Sequence, residues 1–174
     1  YQKLMDNLCD IVAEEQAKLG YMKEPIRLYY PLSSLNHFFG GDVSADEMQE
    51  KLSKFKSFAY DKFGEVEITH KGGRFCFFLS ERATEYVHEN GGQNQFIFDL
   101  VALLAKHGTV MEEVEALFAK QKDAYEIEKM NHGEFDYMIH FVDSKDKYLY
   151  CFKDEGCHII YHRFLPEDYE DLGL

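Results

Sequence analysis

The sequence predicts an α+β protein, and three observations carry that expectation. Apolar residues recur at helical spacing along most of the chain before Tyr125. From Tyr125 the period changes from 3.6 to 2, the spacing of half-buried strands. Within the helical part, a turn at Lys71, Gly72 and Gly73 separates two runs that read as strands, which places a hairpin there. With 174 residues, 45% hydrophobic and 16% aromatic, the chain has enough apolar surface for a packed core, which argues against a disordered chain. Two parts are expected, 1–91 and 92–174, with Gly91 and Gly92 as the boundary. The second part should hold a helical hairpin and a four-stranded antiparallel meander packed on the first.

Residues 2–19 read as an amphipathic helix with Leu4, Leu8, Ile11, Val12 and Leu19 inward and Gly20 as its stop. A short strand follows from Ile26 to Tyr30. Pro31 suits a helix start, and Leu32, Leu35, Phe38 and Phe39 give a helix of about two turns, ended by Gly40 and Gly41. Ser44 and Glu47 have the spacing of a capping box, opening a long helix to about Lys62 with Met48, Leu52, Phe55, Ala59 and Phe63 as its core stripe. After Gly64, Val66 and Ile68 alternate with polar residues, and the run from Arg74 to Leu79 returns as a second strand. A helix opens at Ser80 and ends near Asn90.

Residues 93–107 are apolar nearly all round, as in a helix buried on several sides. Thr109 and Glu112 suggest another capping box, and Val110, Val114, Leu117 and Phe118 the inner face of the next helix. Strands are expected at 125–130, 135–142, 148–152 and 157–164, separated by short turn sequences that make a meander. One face would carry Tyr137, Ile139, Phe141, Tyr148, Tyr150, Phe152, Ile159 and Tyr161. The acidic tail has Tyr169 and Leu172 as candidate anchors.

The order of Leu32 and Leu35, turn, long helix, Gly64, Val66 and Ile68, a basic glycine turn, an apolar strand and Ser80 to Ala83 resembles the winged-helix pattern. That resemblance covers residues 26–90. It implies a recognition face of Gln49, Ser53, Lys56 and Tyr60, and a wing carrying His70, Lys71 and Arg74. The whole chain also resembles an uncharacterised bacterial family of unknown function, from which no activity follows.

Charge weighs against the usual role of such a module. The net charge is −13, which repels nucleic acid and anionic membranes at long range. Residues 26–80 hold seven basic and seven acidic side chains, so the segment is neutral and the excess lies outside it. The stripe of Gln49, Ser53, Lys56 and Tyr60 contains no carboxylate and could donate hydrogen bonds to phosphates or bases. A solvated polar face is the other reading of the same stripe. No signal peptide or membrane span is expected, since no apolar run reaches the roughly 18 residues required.

The remaining chemistry is sparse. No P-loop, no G-x-G-x-x-G and no C-x-x-C occurs, so no cofactor is expected. His140, Cys151, His158 and His162 lie in adjacent predicted strands, but His158 and His162 would be about 13 Å apart at the usual strand rise. That is too far for one zinc, and no metal site is expected. Cys157 and His158 are neighbours, yet successive strand residues face opposite ways, which argues against a nucleophile–base pair. A Cys151–His140 pair and a Cys151–Cys157 bridge are alternatives, with free thiols the simpler reading. Tyr137, Tyr148, Tyr150 and Tyr161 could line a ligand site or interface, or face a core. No catalytic residue stands out. The expectation is a soluble, cytoplasmic, non-enzymatic protein whose first module is a protein-interaction or scaffold module for a protein partner or a second copy. The alternative is a DNA-binding regulator with an acidic effector or ligand-binding domain.

Overall fold

A computed structural model describes residues 1–91 and 94–173. The architecture is α+β, with two antiparallel sheets, and the chain divides into two compact units, Tyr1–Asn94 and Gln95–Leu174. Gly92, half of the expected boundary, lies outside the described residues, as do Gln93, where the next helix was expected to open, and Leu174. No helix among the described residues is long and apolar enough to cross a membrane.

The N-terminal unit runs α1 (Gln2–Leu19), β1 (Ile26–Pro31), α2 (Leu32–Phe39), α3 (Ala45–Phe63), β2 (Val66–Lys71), β3 (Arg74–Leu79) and α4 (Glu81–Asn90). The sheet order is β1-β3-β2, with β3 antiparallel to both neighbours. Being central, β3 needs an apolar residue at every second position facing the helices. Phe75, Phe77 and Leu79 meet that need, and all three are fully buried. Against them pack Leu4, Leu8 and Val12 of α1 and the whole expected stripe of α3, Met48, Leu52, Phe55, Ala59 and Phe63.

Polar links fix the joints between these elements. Gly40 ends α2 in the left-handed region at φ 68°, open to glycine without strain. Buried Asn36 then spans the gap to α3, accepting from the Val43 N–H at 3.1 Å and donating to the Val43 carbonyl at 3.2 Å. The Ser44 capping box forms with both halves present, Ser44 N–H to Glu47 Oε2 at 2.9 Å and Glu47 N–H to Ser44 Oγ at 3.4 Å.

Leu19 departs from expectation: it is 71% exposed. The same helix face turns polar one turn earlier, where Gln16 Nε2 donates to the Thr84 carbonyl of α4, so the last turn of α1 overhangs the core. Glu14 is buried, and Lys18 Nζ sits 2.8 Å from its carboxylate. A buried carboxylate needs such a partner.

The C-terminal unit runs α5 (Gln95–Leu104), α6 (Met111–Ala119), β4 (Tyr125–Lys129), β5 (Tyr137–Phe141), β6 (Leu149–Asp154), β7 (Ile159–Phe164) and α7 (Pro166–Asp171). Its sheet is the expected meander, β4-β5-β6-β7. The register places Tyr125 opposite Phe141, Ile127 opposite Ile139, Ile139 opposite Tyr150, and Tyr137 and Tyr161 on either side of Phe152. Phe96 of α5 and Phe118 of α6 meet each other with centroids 4.8 Å apart, and both meet Phe141 and Tyr150 edge-on or tilted at 5.1–5.7 Å.

Three expectations change here. The helix over 93–107 stops at Leu104, because the Thr109 hydroxyl donates to the carbonyls of Leu103 and Lys106 and draws the chain into a turn. Thr109 therefore closes one helix instead of opening the next. The N-cap is Val110, which has no acceptor to offer, and only the Glu113 carboxylate half of a capping box forms, receiving the Val110 N–H at 3.1 Å. One position of shift also puts Met111 inward and leaves Val110 exposed. In the tail, Tyr169 meets Phe164, while Leu172, the other expected anchor, is exposed.

Candidate functional site

The polar stripe of α3 is split by its surroundings. Gln49 is half-buried with its Oε1 lacking a hydrogen-bond partner among the described residues, and the Ser53 hydroxyl is turned back onto the Gln49 carbonyl at 3.0 Å. Lys56 and Tyr60 instead open onto a hollow of about 500 Å³ shared with Ser57, Gly64, Glu65, Val66 and Glu67. Tyr60 is 58% exposed. The stripe lacks carboxylates along the helix, yet Glu67 of β2 and Glu65 just before that strand line the same hollow. Sequence spacing within one helix could not show that, because both carboxylates lie beyond the end of α3.

The tip of the β2–β3 hairpin forms the second region. Lys71 and Arg74 are paired across the turn, and the positive φ of Gly72 (56°) and Gly73 (77°) supplies the backbone that such a two-residue turn requires. They line a hollow of about 420 Å³ with Tyr29, Thr69, His70 and Cys76, and among the described residues no carboxylate belongs to that lining. His70 stacks on Phe75 with centroids 5.0 Å apart. Lys56 thus lines one hollow and Lys71 with Arg74 another.

In the C-terminal unit the four tyrosines differ in exposure. Tyr150 and Tyr161 are buried, and the Tyr150 hydroxyl donates to Asp146 Oδ2 at 2.7 Å. Tyr137 and Tyr148 are half-buried, and the Arg163 guanidinium lies 4.2 Å above the Tyr148 ring. His140 Nε2 is 3.4 Å from Glu126 across the β4–β5 pair, while Cys151 faces Met138 and His162, so His140 and Cys151 are not cross-strand partners. Among the described residues no three His, Cys, Asp or Glu side chains group as a metal site. All four cysteines are free thiols. Cys151 is enclosed in β6 and Cys157 lies exposed in the next loop, which leaves them unbridged.

A family model described as "Domain of unknown function, E. rectale Gene description (DUF3877)" matches residues 1–173. The chain belongs to the DUF3877 family. No curated protein and no solved structure matches it.

One constellation in this DUF3877 chain was missed by sequence reasoning. β7 begins at Ile159, two residues later than expected, because the Glu155 N–H donates to the His158 carbonyl at 3.0 Å and keeps the loop closed. Cys157 and His158 are therefore loop residues, free of strand alternation, and their side chains meet with Sγ 3.1 Å from Nδ1. Glu155 Oε2 lies 2.9 Å from the other ring nitrogen, Nε2. The available signal was Asp154, Glu155 and Gly156: a turn composition whose loop extends through Cys157 and His158.

Proposed function

We propose that the N-terminal unit of this DUF3877 protein is a winged-helix-like module used to bind protein, a second copy of the chain being the first partner to test. The winged-helix reading is supported by the element order from α1 to β3 and by a sheet in which the last strand lies between the first and second. The protein-binding reading rests on one observation above all: Glu65 and Glu67 share the hollow with Lys56 and Tyr60. A face meant for phosphates would meet repulsion there, whereas an exposed tyrosine among mixed charges suits a protein interface.

A second reading, duplex binding through the wing, is favoured by the carboxylate-free hollow around Lys71 and Arg74. Fluorescence anisotropy with a duplex at about 150 mM salt, beside sedimentation velocity of wild type and Tyr60→Ala, separates the two. The protein-binding reading expects no saturable duplex binding, and self-association weakened by about tenfold or more in Tyr60→Ala, as for an aromatic anchor. Tight, salt-sensitive duplex binding that disappears in Lys71→Ala/Arg74→Ala would overturn it.

A further inference from the structure

We propose that Cys157 is a nucleophilic thiol for exchange with low-molecular-weight disulfides, with His158 as its base and Glu155 orienting that base. The three side chains sit on the four-residue loop between β6 and β7 and are in contact in series: Sγ to Nδ1 at 3.1 Å, Nε2 to carboxylate at 2.9 Å. A carboxylate can only accept, so in the neutral ring Nε2 carries the hydrogen and Nδ1 is the acceptor facing the thiol. Cysteine, imidazole and carboxylate then stand in the order that nucleophilic thiols require, the base itself held by a third group.

The loop is fixed by its backbone. The Gly156 N–H donates to Asp154 Oδ1 at 2.8 Å, and the Asp154 N–H to Asp136 Oδ2 at 2.8 Å. The Gly108 N–H, in the α5–α6 link, donates to the Cys157 carbonyl at 3.0 Å. Gly156 has φ 85°, the left-handed region where a side chain would be strained, so the loop shape depends on glycine there. The thiol is consequently held near the imidazole without being enclosed.

The other cysteines sharpen the assignment. Burial pushes the thiols of Cys9 and Cys151 up to about 11, which keeps both protonated near neutral pH. Cys76 is half-buried in the sheet, and Cys157 is the exposed thiol of the four. In the proposed step the thiol proton passes to Nδ1 and Sγ attacks one sulfur of the disulfide. A new S–S bond to Cys157 forms as the old one breaks, and the departing thiolate takes the proton from Nδ1 and leaves as a thiol. The sum is one protein thiol plus one disulfide giving one mixed disulfide plus one free thiol, with no other oxidant.

The test treats the full chain with glutathione disulfide and follows each cysteine by peptide mapping. At pH 7 Cys157 should be thiolated first, with His158→Gln slowing its reaction by about tenfold and Glu155→Gln by about threefold. At about pH 10, where ordinary thiols ionise unaided, wild type and His158→Gln should react alike. Urea-unfolded wild type, which keeps the neighbours but loses the loop, should show the slow rate at pH 7. The proposal is overturned if His158→Gln reacts at the wild-type rate at pH 7, or if unfolding leaves the rate at Cys157 unchanged. Wild-type reactivity in Glu155→Gln would remove Glu155 from it.

Discussion

At the scale of single residues, Phe118 and Tyr150 show how the C-terminal core is held. Phe118 is fully buried and touches Phe96, Phe141, Tyr150 and Phe152, so deleting its ring leaves a void that several aromatic neighbours border. Phe118→Ala should lower unfolding free energy by about 3–5 kcal/mol, as measured by chemical denaturation with a probe in the meander. Tyr150→Phe is a milder and more pointed change. It keeps the ring packing and removes the hydroxyl that donates to Asp146, a carboxylate that also holds the Tyr148 N–H at 3.0 Å. A cost of about 2 kcal/mol is expected, as for a hydrogen bond to a charged group, with the fold otherwise kept. An unchanged denaturation midpoint in Tyr150→Phe would mean that water replaces the tyrosine at Asp146. Phe118 was legible as an inward residue from its spacing; the Asp146 link was not, because it depends on how the loop before β6 folds back.

At the scale of elements, the α3 cap is the clearest case of a local signal that the fold uses as written. The backbone N–H of Ser44, then its hydroxyl, hold the Glu47 carboxylate below its ordinary range. A carboxylate whose folded value is depressed contributes stability that is present above its unfolded value, about 4.3, and is lost as pH falls through the folded value. Ser44→Ala should cost about 1 kcal/mol at pH 7, and thermal melts should show the gap to wild type narrowing below about pH 4. The capping box at Ser44 could be read because both partners lie within four residues. Thr109 had the same spacing to Glu112, and the structure uses it in the opposite sense. What decided between them was the three-dimensional position of the Leu103 and Lys106 carbonyls, to which spacing gives no access. The same limit explains the late start of β7: alternation in sequence predicted a strand from Cys157, and one loop hydrogen bond, Glu155 N–H to the His158 carbonyl, removed its first two residues.

At the scale of the whole molecule, charge governs what the N-terminal module can meet. Residues 1–94 hold 15 acidic and 11 basic side chains, a net −4, and residues 95–174 hold 17 and 8, a net −9. The acidic excess therefore lies mainly in the second unit, and a partner of either kind meets the field of the full −13 at low salt. This makes the sign of the salt dependence diagnostic. Two copies of the chain repel each other, and raising salt from about 10 mM to 150 mM shortens the screening length from about 30 Å to about 8 Å. Self-association through an aromatic contact such as Tyr60 should tighten over that range, because screening removes repulsion and leaves the apolar term intact. Duplex binding through Lys71 and Arg74 should weaken instead, since it releases counterions from phosphate. Sedimentation velocity across that salt range reads the first and anisotropy with a duplex reads the second. If self-association weakened as salt rose, ion pairs between copies would have to outweigh the net repulsion, and Lys56 with Glu65 and Glu67 would be the first residues to exchange.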